Sequence, residues 1–221
     1  MIDPLTRSAG QQLGLRGRPP YHLGRGGALG DVPAEVVVAA FAFFPPQVVA
    51  EHWATGRAVM PPPAAAQADA GMCNDWGRRQ LTGQPGPVRI LEPLELVADS
   101  AEPGGPSLFA GWRRLPRPDD VPGRLAQVIH VLREHRGAVH VAAVAGLDLL
   151  GAVMAGPYGA SNARFFDWPE PYPDPAPHQA AWQQAEDLTA AAAAVPYQRL
   201  EPAERRELVD LLVELHTAVL G

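Results

Sequence analysis

The sequence predicts an all-α protein, a multi-helix bundle containing short helix-turn-helix-like units, and three observations carry that prediction. Apolar residues recur at the helical period in several segments, no series of segments alternates apolar and polar residues as half-buried strands do, and proline and glycine cut the chain at helix-length intervals. With 221 residues, 47% of them hydrophobic, the chain can bury a core without metal or disulfide staples. Its single cysteine, Cys73, has no intramolecular partner and reads as a small buried hydrophobe.

Residues 3–14 predict a short helix ending at Gly14, followed by a Gly/Arg-rich connection from Gly17 to Gly30. Asp31 and Pro33 open a buried helix running to Phe44, its β-branched valines leaving a strand as the lesser alternative. Gln47 to Thr55 makes another short helix, closed by Gly56, and Pro61-Pro62-Pro63 opens a longer one over residues 63–81. After a turn at 82–87, a helix over 88–101 ends near Pro103-Gly104-Gly105. That break divides the chain into an N-terminal helical half, 1–104, and a C-terminal helical half, 105–221, unless both fold as one compact domain.

In the second half, Asp119 or Asp120 caps a helix with Pro122 in its first turn and with Leu125, Val128, Ile129 and Leu132 on one stripe. Gly137 is the expected stop. Short helices over 138–145 and 148–155 follow, separated by Gly146-Leu147-Asp148. Residues 156–178 are rich in aromatics and proline and predict a loop packed across the body, before the two C-terminal helices at 178–194 and 202–220. The last carries Leu208, Leu211, Leu212, Leu215 and Val219 on one face.

Composition narrows the function classes. All 18 basic residues are arginine, which fits the coding bias of a GC-rich genome, and the net charge of -6 argues against a broad phosphate-binding surface. Nucleic acid is therefore not the expected partner. No signal-peptide pattern opens the chain and no apolar run reaches membrane-span length, so the expected home is cytoplasmic, with no membrane partner. Self-association into a homo-oligomer stays open.

The stretch Leu132 to His140 concentrates the chemistry. Extending the apolar stripe by three or four residues reaches His135 and Arg136, while His140 shares a face with Val144 and Leu147, so these groups are expected to converge at a junction broken by Gly137. Glu134 can neutralise the charge. One reading is a satisfied polar cluster pinning helices together. The other is a pocket in which Arg136 holds an anion and a histidine acts as donor or base. A metal reading would use His130, His135 and His140, but a spacing of five turns neighbours to different helix faces, so no metal is expected.

Gly24 to Gly30 matches neither the dinucleotide fingerprint nor a Walker motif. Arg25, His22 and Tyr21 beside it can still line a pocket, and Trp168, Tyr172 and Phe165 can cover an aromatic ligand. Residues 122–155 have a helix-turn-helix outline with Gly146 at the turn, yet the would-be recognition helix Leu149 to Ala155 offers no side chain for base edges or phosphates. Cys73 and Ser161 stand in no nucleophile motif.

Leu13-Gly14-Leu15-Arg16-Gly17, Gly24 to Gly30, Pro106 to Ala110 and Leu132-Arg133-Glu134-His135-Arg136-Gly137 with His140 together give the chain its likeness to known proteins. It resembles an actinobacterial family grouped under a helix-turn-helix label, which implies a mainly helical fold of short helix-turn-helix-like units. It departs from that pattern at Phe165-Phe166-Asp167-Trp168-Pro169, where a charged helical segment is expected, and before its first helix, where members carry further residues.

The leading functional expectation is a small-molecule-binding or sensor-like protein with an internal His/Arg pocket for an anionic or aromatic ligand, formed by Arg136, Arg25, His22, Tyr21 and Trp168. Second is an enzyme of actinobacterial specialised metabolism using His135, His140 and Glu134 for acid/base chemistry. Third is a DNA-binding transcriptional regulator. No motif names a cofactor.

Overall fold

The computed structural model describes residues 19–220, which form eleven α-helices and three short 3₁₀ turns, with no strand among them. The helix expected over residues 3–14 lies outside the described residues. The helices are α1 (Pro19–Gly26), α2 (Ala34–Ala40), α3 (Pro46–Arg57), α4 (Pro62–Leu81), α5 (Pro87–Ser100), α6 (Ser107–Arg113), α7 (Val121–Ala143), α8 (Leu149–Ala155), α9 (Gly159–Phe165), α10 (Gln179–Ala194) and α11 (Pro202–Leu220). Proline stands in the first turn of α3, α4, α5 and α7, where its missing N–H leaves no intrahelical bond unmade.

Two apolar clusters hold the helices. The smaller packs Leu23, Val37, Phe41, Phe44, Val49, Trp53 and Leu108. The larger joins Ile90, Leu94 and Val97 of α5, Phe109 and Trp112 of α6, Leu125, Val128 and Val131 of α7, and Leu208, Leu211 and Leu215 of α11. Full burial of each large side chain contributes about 1.5–3 kcal/mol. This larger cluster draws on residues from both sides of position 105.

Helix α7 is the axis of the molecule. Asp120 caps it, accepting from the Gly123 backbone N–H at 2.9 Å, and Arg78 of α4 bonds the same carboxylate at 2.6 Å. The expectation that Gly137 ends this helix is corrected: α7 continues to Ala143, and the left-handed turn falls at Gly146, φ 91°. Glycine most often stops a helix by adopting the left-handed conformation, which Gly137 does not take. Ala138, Val139 and His140 instead keep the helical path, with His140 buried, and the helix expected over 138–145 is the end of α7.

Other boundaries also shift. The Gly/Arg-rich connection contains α1, because burial of His22 and Leu23 outweighs the poor helix propensity of its glycines. The helix expected to reach Phe44 ends at Ala40, and the backbone turns so that Phe41 and Phe44 both enter the core. Within the aromatic loop the chain forms α9 and a 3₁₀ turn at Ala176–His178.

Gly77 lets α4 and α7 touch. A Cβ there would stand 2.4 Å from the Pro122 carbonyl oxygen and 2.6 Å from the Ala126 Cβ. Gly137 has no such neighbour, since its Cβ would meet only the Arg25 guanidinium, at 3.9 Å. Gly77→Ala should therefore lose about 1–3 kcal/mol in chemical denaturation, whereas Gly137→Ala should gain up to about 1 kcal/mol. Equal effects at the two positions would contradict this packing.

Candidate functional site

The site is built on the middle of α7. Glu134 has no exposed surface, and its carboxylate accepts from Arg25 Nε at 2.9 Å and from Arg25 Nη2 at 2.9 Å, a fork that ties α1 to α7. Arg133 Nη1 adds a third bond at 2.8 Å, and His130 Nε2 lies 3.5 Å from the same carboxylate. Burial alone would raise the Glu134 pKa, but the Arg25 charge and its hydrogen bonds hold it below the ordinary value. Arg25 is clamped from the other side by the Tyr21 hydroxyl at 3.2 Å and by the Phe41 ring, whose centroid lies 4.6 Å from the guanidinium carbon.

A cavity of about 570 Å³ opens beside this pair. Its wall comprises Tyr21 and Arg25 of α1, the Ala40 to Phe44 turn, His130, Arg133, Arg136, Gly137, His140 and Val141 of α7, and Phe165 and Phe166. Arg133 and Arg136 are half-exposed, and Arg136 bonds Glu186 of α10 at 2.8 Å. Phe43 stacks on His140 at 5.2 Å and on Phe166 at 6.3 Å, giving one side of the cavity an aromatic surface.

The two cavity histidines are neutral at physiological pH. Burial pushes His130 down to about 4, with Trp112 packed against its ring at 4.2 Å. Burial also lowers His140, whose Nδ1 is 2.9 Å from the Thr189 hydroxyl oxygen. That hydroxyl donates its only proton to the Ala185 carbonyl at 2.7 Å, so His140 Nδ1 must carry the hydrogen and donate it to Thr189. Its Nε2 then holds a lone pair, 3.5 Å from a Glu186 oxygen.

The sequence-nominated residues divide clearly. Tyr21, Arg25, Arg136 and His140 line the cavity, and Glu134 stands behind it as the anchor of Arg25. His22 is fully buried between Phe41 and Phe44, with its Nδ1 3.1 Å from Nδ1 of His52, and does not line the cavity. Trp168 acts as a brace, its indole donating to the Phe43 carbonyl at 2.8 Å. His135 lies on another face of α7 against Phe109, where burial lowers its pKa. The expected convergence of His135 with His140 does not occur, because α7 is continuous and a five-residue step turns them apart.

Asp69 of α4 was not among the nominated residues. Its side chain packs against Gly24 of α1, and burial followed by the Glu134 charge pushes its pKa up to about 7, with Arg133 and Arg25 opposing. Cys73, one turn along α4, is pushed up to about 12 by burial and by Asp69, and remains a thiol. Asp69 was nonetheless legible as an acidic residue on the stripe of Ala66, Ala70 and Cys73. Among the described residues no three His, Cys, Asp or Glu side chains are placed to hold a metal ion, and no helix is long and apolar enough to cross a membrane.

A family model described as "Helix-turn-helix family" matches residues 1–165. No curated protein and no solved structure matches the chain.

The raised Asp69 pKa gives stability a defined pH dependence. The folded state keeps this proton up to about pH 7 while the unfolded chain releases it near 3.8, so stability falls as pH rises through that window. Asp69→Asn cannot ionise and should gain on the wild type by roughly 2–4 kcal/mol between pH 4 and pH 8, an order-of-magnitude figure from the shift. Urea denaturation at several pH values reads this difference. Parallel stability profiles would contradict a protonated Asp69 in the folded state.

Proposed function

The chain belongs to the Helix-turn-helix family, and from that premise we propose that it is a small-molecule-binding member whose ligand carries an aromatic ring and a carboxylate. The observation that supports this reading is the composition of one cavity wall: half-exposed Arg133 and Arg136 stand beside the stacked rings of Phe43 and Phe166. Guanidinium groups bind carboxylates in a planar fork, and aromatic walls favour a flat apolar body.

The local charge balance favours a ligand with a single negative charge. While Asp69 keeps its proton, below about pH 7, three guanidiniums, Arg25, Arg133 and Arg136, face two carboxylates, Glu134 and Glu186, leaving one positive charge over. The neutral histidines add none.

The family description favours DNA binding as a second reading. Against it, the would-be recognition helix α8 buries Gly151, Ala152, Val153 and Ala155 and carries no charged side chain. DNA-bound helices instead present polar side chains to the major groove.

Calorimetric titration with 3-phenylpropionate separates the readings. It should bind the wild type and lose at least tenfold affinity in Arg133→Gln/Arg136→Gln, and the uncharged 3-phenylpropanol should bind at least tenfold more weakly than the acid. Equal affinity for acid and alcohol would overturn the proposal. So would absent binding combined with salt-sensitive retention of duplex DNA, which is the outcome of the second reading.

A further inference from the structure

A second cavity, of about 740 Å³, lies between α5, α7, α10 and α11. Leu94, Ile129, Leu132 and Leu212 line it together with His135, Tyr197 and the small side chains of Ala190 and Ala193 of α10. It shares Arg25, Arg133, Arg136 and Gly137 with the first cavity, so the two meet along one strip of α7. Each exceeds the ~300 Å³ at which ligand clefts begin.

Gly137 lies on the strip that the two cavities share. Glycine weakens a helix interior, and at Gly77 the close approach of α4 explains it. At Gly137 no packing does, because an added Cβ would meet only Arg25 Nη2, at 3.9 Å. Gly137 adds no side chain to the strip that it shares with Arg133 and Arg136.

We propose that the two cavities form one bent site for an N-acylated aromatic amino acid, with its ring toward Phe43 and Phe166, its carboxylate at Arg133 and Arg136, and its acyl chain along Leu132 and Leu212. This rests on the aromatic-carboxylate reading above and extends it. The molecule needs an anionic group at its centre and two unlike arms, because the shared strip is basic, one arm is walled by the Phe43 and Phe166 rings, and the other is chiefly aliphatic with His135 and Tyr197 among its lining. N-acylation also fits the charge: a free amino acid would bring an ammonium group beside two arginines, whereas an amide leaves a monoanion to meet the single surplus positive charge.

The test is calorimetric titration of the full chain with N-octanoyl-L-phenylalanine and N-acetyl-L-phenylalanine, alongside 3-phenylpropionate. In the wild type the octanoyl compound should bind at least tenfold more tightly than the acetyl compound. That ratio should fall to threefold or less in Gly137→Leu, which obstructs the shared strip, and in Ala193→Phe, which fills the aliphatic arm. Should either variant fail to fold, the other decides. Equal affinity of the two compounds for the wild type, or an undiminished ratio in a folded variant, overturns the joined site while leaving the aromatic-carboxylate reading standing. Failure of 3-phenylpropionate and both acylated compounds to bind overturns that reading as well.

Discussion

Burying the Glu134 carboxylate alone would cost several kcal/mol, and the fork from Arg25 is what offsets that cost. The pair joins positions 109 residues apart in sequence. It fixes α1 on α7, and the rest of the first cavity is arranged around that fixed edge. Tyr21 and Phe41 hold the guanidinium from behind, and the Trp112 indole donates to the Arg25 carbonyl at 3.1 Å, so the backbone of α1 is held as firmly as its side chain.

With Glu134 engaged by Arg25, Arg133 and Arg136 keep donors directed to solvent-accessible space, each bonding one carboxylate among the described residues. Asp69 belongs to the same balance. A second ionised carboxyl beside Glu134 would compete for Arg25 and Arg133, and the protonated form avoids that competition. Burial is the main reason the histidines are neutral, with Arg133 and Arg25 adding to it at His130 and Arg136 at His140.

Much of this fold was legible in the sequence because period and punctuation are local. Pro61-Pro62-Pro63 announced α4, Asp120 with Pro122 announced α7, and the leucine stripe announced α11. Gly137 misled because a glycine's stopping power depends on its backbone conformation, which tertiary packing decides. The site was half legible for the same reason. Arg25 and Glu134 were each visible as charges beside apolar residues, but their pairing is a long-range fact without a local signal. His22 sits beside Tyr21 in sequence and packs on the same Phe41 and Phe44 rings, yet it is fully buried and stays out of the cavity wall, and the rings of Phe41, Phe43 and Phe44 reach the site only because α2 ends early.

A double-mutant cycle in urea denaturation tests the central role of the Arg25–Glu134 pair most directly. Arg25→Met and Glu134→Leu should each cost about 3–5 kcal/mol, because each leaves a buried charge without its forked partner, and the double variant should cost less than either. Additive losses, or a loss below about 1 kcal/mol in either single variant, would show that the pair does not hold the site together.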